Sequence, residues 1–425
     1  MNAHAEEYYS EVETMPPGQR REYYLGQVKR QVAYAYENAP AMRAKMDEAG
    51  VKPGDIGEMS DIEAIPITTK DSLIEARRAD PPWGGLLGVP PQEIPRVYLS
   101  PGPIYDVQST DDNFFIRWRR RMHAHGFRPG DVVVNTFSYH MSPAGHWFDE
   151  AIRQIGATAI PMGVGNTELQ AQVLRDMRAT GWTGMPSFLM AIFNKAEELG
   201  IDPGKDYCLR AISAGGEMGG AQIRQKLHEQ YGIQSYDSYG TADVGLISYE
   251  CKERSGMHVH EEILVEIVDE ITGKQVGPGE VGQVVVTPFD RCYPLLRFGT
   301  GDLSSMVEGQ CACGRTSLRL SGILGRVGQA VRVRGMFVHP RQVNEVVSRF
   351  SEIERFQAEV SRDQGRDRIV LRIALKGEGP ALEAMLQSLQ ASFEDVCRLR
   401  LDEVLCVSAE DLAGAEKAIV DTRQF

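Results

Sequence analysis

The sequence predicts an α/β protein: a large N-terminal domain of helix-flanked sheets with a β-rich subdomain, followed by a small α+β C-terminal domain. Three observations predict it. From Asp131 short apolar strands alternate with helical segments, from about residue 256 strands follow one another without helices, and after Gly328 a strand–helix–strand–helix–strand pattern closes the chain. A chain of 425 residues is also too long to fold around one core.

Residues 18–50 read as helices, because Leu25, Val28, Val32 and Ala35 recur at helical spacing, as do Met42, Met46 and Ala49. Ile65 to Asp71 is an extended run ending in a Thr cap for the next helix. Arg117, Arg119, Arg120 and Arg121, interleaved with Phe114 and Trp118, read as an amphipathic helix with a solvated basic face. Val132-Val133-Val134 is a strand before a helix over 146–155, and 157–160 a strand before a helix over 167–179. Met185-Pro186-Ser187 opens a further helix, and 209–212 is a further strand. Strands are expected at 259–268, 282–287 and 295–298, within a β-rich subdomain over about 256–324, with Pro278-Gly279-Glu280 as a turn. The boundary falls at 325–328, giving domains 1–327 and 328–425.

Bulk properties narrow the function. A net charge of -13 argues against nucleic acid, whose recognition needs a basic face. No apolar run approaches the ~20 residues that span a bilayer, and the N-terminus lacks the basic-then-apolar order of a signal peptide. Seven cysteines scattered over a long chain suggest no disulfide framework, so the cytoplasm is the expected location.

Three blocks carry chemistry. Ser213-Ala214-Gly215-Gly216-Glu217-Met218 follows a strand and precedes a helix; its glycines either admit a ligand to backbone amides or form a plain turn. Asp237-Ser238-Tyr239-Gly240-Thr241-Ala242-Asp243 offers a tyrosine that can stack on a purine and an acid that can hold a metal-bound phosphate, or else a helix start capped by Thr241 or Asp243. In Arg297-Phe298-Gly299-Thr300-Gly301-Asp302, a carboxylate after Thr-Gly can accept two hydrogen bonds from a ribose diol, although Gly-Asp also marks ordinary turns. Gly325-Arg326 and Arg334-Gly335 to Pro340 follow it. A fourth set, Cys251, His258, Cys311 and Cys313, supplies three thiols and an imidazole: either a closed tetrahedral zinc site or buried free thiols, with His260 as the spare ligand.

Taken together, these blocks resemble the phenylacetate–coenzyme A ligase branch of the adenylate-forming superfamily. Gly156 to Pro161, Gly184 to Ser187, Gly256 to Glu261 and Cys311 to Arg315 extend the resemblance over nearly the whole chain. It implies that a carboxylate attacks the α-phosphate of ATP and that the thiol of coenzyme A then displaces AMP. It also implies that the C-terminal domain rotates between the steps about a hinge near Gly328. Carried over by position, Tyr239 stacks on adenine with Gly215, Gly216, Asp237 and Ser238 around it, and Glu217 and Gly240 lie in the same blocks. Thr241 and Asp243 lie by the phosphates and Mg2+, Asp302 and Arg326 bind the ribose, and Arg334 and Gly335 belong to the junction. Cysteines at corresponding places occur in the family.

The sequence departs from the family's pattern in two places. The phosphate loop keeps Ser100 and Gly102 but lacks the hydroxyl pair and the later Gly and Lys. Pro101 and Pro103 remove amide donors, and Asp106 would repel a triphosphate unless a metal intervened. The tail that carries the family's adenylation lysine is irregular, leaving Lys417 as the candidate. Ala242 stands where a hydroxyl residue is expected. Residues 137–148 should form the acid pocket, with Phe137, Tyr139, His140 and His146 as its candidates and an aromatic lining suited to a ring-bearing acid.

The resulting expectation is an AMP-forming acid–CoA ligase using ATP and Mg2+ on an aromatic acid, with a structural Zn2+, acting as monomer or homodimer. The alternatives are an adenylating enzyme with an amine or carrier-protein acceptor, and a non-catalytic binding protein on the same scaffold.

Overall fold

The computed structural model describes residues 7–100, 104–217, 220–327, 331–334, 336–338, 340–363, 366–377, 382–414 and 417–423. Gly102, Met218, Gly328 and Gly335 lie outside them. The chain divides into two compact units. The larger comprises Met1–Glu280, Val284–Thr300 and Ser305–Gly322; the smaller comprises Val281–Gln283, Gly301–Ser304 and Ile323–Phe425.

In the larger unit the alternating pattern forms a five-stranded parallel sheet in the order Thr158–Pro161, Val132–Asn135, Gly181–Gly184, Ala211–Ala214, Ser235–Tyr236. Helices Pro143–Gln154, Thr167–Asp176, Pro186–Glu198 and Gly220–Tyr231 connect these strands. Because successive strand residues point to opposite faces, Val133 joins a core with Trp118, Trp147 and Phe148, whereas Val134 joins one with Trp182, Leu189 and Phe193. A second five-stranded sheet is antiparallel, in the order Met306–Val307, Arg319–Leu320, Met257–Val259, Gly245–Glu250, Ser238–Thr241. Ahead of both sheets run helices Pro17–Asn38, Pro40–Glu48 and Lys70–Ala79. The Thr cap expected for the last is present, with Thr69 Oγ1 accepting from Ser72 N at 3.1 Å.

The smaller unit pairs Ile353–Asp363 with Arg366–Leu375 as an antiparallel hairpin and flanks it with the parallel edge strands Ile419–Asp421 and Glu403–Cys406. Helices Pro340–Ser348 and Leu382–Cys397 contribute Val343, Val346, Leu389 and Phe393 to the core over Ile369 and Leu371. The long final stretch of this unit starts at Ile323, and within it Gly325–Arg326 pairs antiparallel with Leu303 and Asp302 of the unit's Gly301–Ser304 segment.

Three expectations need correction. The strand expected over 295–298 starts at Phe298, since Arg297 adopts a left-handed φ of 45° and turns the chain. The strand expected over 259–268 is two, Met257–Val259 and Ile263–Val268, in different sheets. Most consequentially, the arginine helix Asp112–Ala124 has no solvated basic face: Arg117, Arg120 and Arg121 are 1%, 0% and 1% exposed. Packed against Pro143–Gln154 on one side and the strand Gly245–Glu250 on another, it is buried around most of its circumference.

Candidate active site

The site is built where the parallel sheet ends. Gly215 and Gly216 leave the strand Ala211–Ala214, and a Cβ on Gly215 would stand 2.0 Å from Asp237 Oδ1, so no other residue fits without displacing that carboxylate. Gly216 has φ 89°, which favours glycine. Asp237 is held from three sides: Oδ1 accepts from Ser238 N at 2.7 Å, its own amide donates to Glu250 Oε2 at 2.7 Å, and Arg224 Nη2 lies 3.7 Å from Oδ2. Burial pushes its carboxyl up to about 6.

The Asp237–Asp243 block forms a hairpin rather than a helix start, with Ser238–Thr241 as the edge strand beside Gly245–Glu250. Close approach demands its glycines. A Cβ on Gly240 would lie 2.6 Å from Gly245 O, and Gly245, at φ 74°, abuts the Phe114 ring. Tyr239 is buried, and Thr241 Oγ1 is buried with no hydrogen-bond partner. Asp243 is the notable group: its side chain is 1% exposed, neither carboxylate oxygen accepts a hydrogen bond among the described residues, and Oδ2 lies 3.4 Å from Lys70 Nζ. Lys70 is the first residue of the helix capped by Thr69, and sequence reasoning gave it no role. The signal was the missing lysine of the phosphate loop, which leaves a cation to be supplied from another element. Glu217, expected beside the nucleotide, is committed elsewhere: it accepts from Ser187 N at 2.6 Å and Ser187 Oγ at 2.5 Å.

The phosphate-loop segment forms a hairpin, Val97–Ser100 with Ile104–Val107. Ser100 ends its first strand. Asp106 is fully buried in the second, opposite Tyr98.

A cavity of about 420 Å³ opens beside the glycine exit. Trp118, Phe137, Trp147 and Phe148 line it together with Arg121, and Gly215, Gly216, Ser238, Gly240, Thr241 and Ala242 are also part of its wall. Of the four expected pocket residues only Phe137 is among its lining. Tyr139 is held by Asn135 Nδ2 at 2.7 Å and Asp149, His146 packs its ring on Tyr98 and Tyr139, and His140 is exposed. The helical part of the wall comes instead from successive turns of the arginine helix, at Trp118 and Arg121, and of Pro143–Gln154, at Pro143, Ala144, Trp147 and Phe148.

In the smaller unit Asp302 and Arg326 sit directly opposite on paired strands, with Arg326 Nε 3.1 Å from Asp302 Oδ1. Asp302 is buried, whereas the Arg326 side chain is mostly exposed. Arg334 is engaged with Asp402 at 3.3 Å and the Arg400 carbonyl. Lys417 is exposed just before Ile419–Asp421, its carbonyl accepting from Gln357 Nε2 at 3.1 Å.

Cys251, His258, Cys311 and Cys313 converge although they lie far apart in sequence: their ligand atoms fall within 4.8 Å of one another and all four residues are buried. Cys251 and Cys311 Sγ are 3.7 Å apart, and Cys313 Sγ is 3.4 Å from His258 Nε2. His258 Nδ1 meets Ser317 Oγ at 3.1 Å, the outer contact that orients a ligating imidazole. Hydrogen bonding from Cys251 holds the Cys313 thiol far below its usual value, and the same bond raises that of Cys251. Three sulfurs and one nitrogen at this spacing fit tetrahedral zinc. His260 lies outside the group.

A glycine exit from a parallel sheet, a buried acid paired with a lysine and an adjoining apolar cavity thus lie side by side in the larger unit. Residues 109–288 match the AMP-binding enzyme family. The chain is 32% identical to phenylacetate–coenzyme A ligase of Thermus thermophilus, the match covering 86% of this chain and 84% of that one. It is 30% identical to phenylacetate–coenzyme A ligase of Escherichia coli, covering 81% and 79%. Its fold superposes on an open conformation of 2-hydroxyisobutyryl-CoA ligase in complex with 2-HIB-AMP and CoA. There the TM-score is 0.88 with 25% identity, over 96% of this chain and 93% of that one. The chain belongs to the phenylacetate–CoA ligase family, and is an AMP-forming acid–CoA ligase with ATP, CoA and a carboxylic acid as substrates.

Proposed function

We propose that this ligase activates a compact, ring-bearing carboxylic acid held in the aromatic cavity. The observation that carries this reading is the shared wall: Gly215, Gly216, Ser238, Gly240, Thr241 and Ala242 line the cavity and also belong to the nucleotide blocks. An acid seated among Phe137, Trp147 and Phe148 is shielded from water on the side facing those rings, and its carboxylate can be directed to the nucleotide end. Relatives named for phenylacetate and for 2-hydroxyisobutyrate indicate acids of modest size.

The polar groups divide the remaining work. Lys70 supplies toward the phosphates the positive charge that the altered loop lacks, and Asp243, whose one partner among the described residues is the Lys70 ammonium, fits a hard cation. Mg2+ held there would neutralise the triphosphate and the departing pyrophosphate. Asp302 accepts from the ribose hydroxyls once Arg326 turns toward the nucleotide, and Lys417 stabilises charge developing at the α-phosphate during adenylation. Tyr239, Asp237 and Ser238 bound the adenine, and rotation of the smaller unit about the segment near Gly328 follows adenylation. Zn2+ on Cys251, His258, Cys311 and Cys313 would pin the Cys311–Cys313 loop rather than act on substrate. The cytoplasm and a monomer or homodimer complete the reading; no helix among the described residues is long and apolar enough to cross a membrane.

The test is pyrophosphate release with ATP and Mg2+ over a panel of aryl, arylacetic and short aliphatic acids, with and without CoA. Release confined to ring-bearing acids, with thioester formed when CoA is present, is the expected result. Preference for short aliphatic acids would overturn the aromatic assignment.

A further inference from the structure

Four arginines lie along one helix, and three have their partners. Arg117 donates to the carbonyls of Asn113 and Leu246. Arg119 pairs with Asp112 at 2.7 Å and Gln154 at 2.7 Å. Arg120 takes Glu262 and Glu261. Arg121 is different. It is 1% exposed and forms no ion pair among the described residues; only its Nη2 is engaged, by Ser213 Oγ. Nε and Nη1 are buried with no hydrogen-bond partner among the described residues. The guanidinium lies 4.2 Å from the centroid of Phe148 and 5.7 Å from that of Trp118, both cavity walls, and Arg121 itself lines the cavity.

A buried cation without a direct ion pair is costly, and two aromatic faces and the more distant Asp237 carboxylate offset only part of that cost. What remains is a demand for an oxygen acceptor from inside the cavity. The carboxylate being activated is a poor candidate. It gives up its negative charge as it attacks phosphorus, so a cation clamped on it would stabilise the ground state more than the transition state and slow the step. A group that keeps its charge or lone pairs throughout does not carry that penalty.

We infer that Arg121 selects the substrate, and that the acid taken by this enzyme carries a second oxygen acceptor, a hydroxyl, oxo or carboxylate group remote from the carboxylate that is activated. The inference rests on the acid-pocket reading above and refines it. Nε and Nη1 lie on opposite edges of the guanidinium, so each is a separate charged donor that such an oxygen can answer. An acid lacking it would leave both donors buried and unpaired, the situation in which sites discriminate most strongly. Burial pushes the Arg121 guanidinium down to about 9, so it still carries its charge at neutral pH.

The experiment compares three ring acids of matched size, phenylacetate, its ring-hydroxylated analogue and its ring-carboxylated analogue. Binding to the whole protein is measured by calorimetry without ATP, and turnover by pyrophosphate release. The oxygenated acids should bind and react about 10- to 100-fold better than phenylacetate. Arg121→Met should collapse that ratio toward one by weakening the oxygenated acids selectively, and Arg121→Lys should restore part of it. Separating KM from kcat distinguishes a merely structural role, which would lower all three acids together. Equal binding of the three acids by the unaltered protein overturns the inference without any variant, as does a ratio unchanged in Arg121→Met. If acids bind with the expected preference but none releases pyrophosphate, the selection stands and the choice of reacting acid is what fails.

Discussion

Arg120 and Arg121 are neighbours on one helix, both almost wholly buried, yet their surroundings are opposite. Arg120 lies in a closed network of three guanidiniums and three carboxylates. Its Nη1 is 2.6 Å from Glu262 and 2.9 Å from Glu261, Glu13 receives Arg315 at 2.8 Å, and Glu261 receives Arg20 at 3.1 Å. Arg121, about 100° further round the helix, meets one hydroxyl, two aromatic rings and a cavity. The first region spends its charges inside the protein and ties the N-terminal segment, the arginine helix and the Glu261–Glu262 connection together. The second leaves its charge for something that arrives. Burial alone therefore does not identify a functional charge; an unanswered buried charge facing a cavity does.

The largest effect that tests this contrast is on folding. Arg120→Met strands Glu261 and Glu262 without their shared cation and should lower stability by about 3–5 kcal/mol, read from urea or thermal unfolding of the larger unit. Arg121→Met strands no carboxylate and should cost far less. Equal losses in the two variants would mean that Arg121 is as structural as Arg120.

The thiolate cluster is a second closed region, and its closure should depend on metal. Protein purified without chelator should contain about one zinc per chain, and Cys311→Ser or exhaustive chelation should remove it and lower the thermal midpoint. A metal-free protein of unchanged midpoint would leave the four residues as packed thiols and a neutral imidazole.

Two substitutions probe the open side. Gly215→Ala forces a methyl onto Asp237 Oδ1 and should cost about 1–3 kcal/mol while weakening AMP binding, measured by calorimetry. Asp302→Ala should weaken ATP and AMP binding, measured by calorimetry on the folded variant, by removing the carboxylate assigned to the ribose hydroxyls. Unchanged nucleotide affinity would remove the ribose assignment.

Much of this was legible in sequence, and the limits have physical causes. The parallel sheet could be read because its strands are short apolar runs separated by helices, and the Thr69 cap because capping is local. Asp302 and Arg326 were named together for the ribose by motif alone, and the fold sets them opposite each other on paired strands. The four zinc-candidate residues could be grouped by residue chemistry, although only the fold brings them within reach. What failed depended on distant partners. A run of arginines reads as solvated when nothing nearby answers it, and the carboxylates that bury Arg120 come from Glu13 near one end and Glu261 and Glu262 far along the chain. Tyr139, His140 and His146 were chosen for their chemistry along one segment, whereas the cavity draws Trp118 and Arg121 from another helix.

The smallest effect returns to the pair of arginines through pH. His125 Nδ1 lies 2.8 Å from the Ser213 hydroxyl that Arg121 also engages. Burial first, and the Arg121 charge second, hold the imidazole well below its usual value of about 6.5, so it stays neutral in the folded protein. The unfolded chain takes up a proton near pH 6.5 that the folded one refuses. This contribution is therefore complete above 6.5 and is lost as pH falls, by at most about 1.4 kcal/mol per pH unit. Glu261 and Asp237 act in the opposite sense. Burial raises each to about 6, so each favours the folded state at low pH and loses that contribution as pH rises through 6. The net slope between pH 6.5 and 5 is thus a difference, and variants separate it. Arg121→Met lets His125 accept its proton more readily and should make the acid-side loss shallower, whereas His125→Asn should remove the histidine contribution outright. A slope unaffected by Arg121→Met would show that the Arg121 charge is already answered in the free protein, a second result, beside equal stability losses, that would make the two arginines alike.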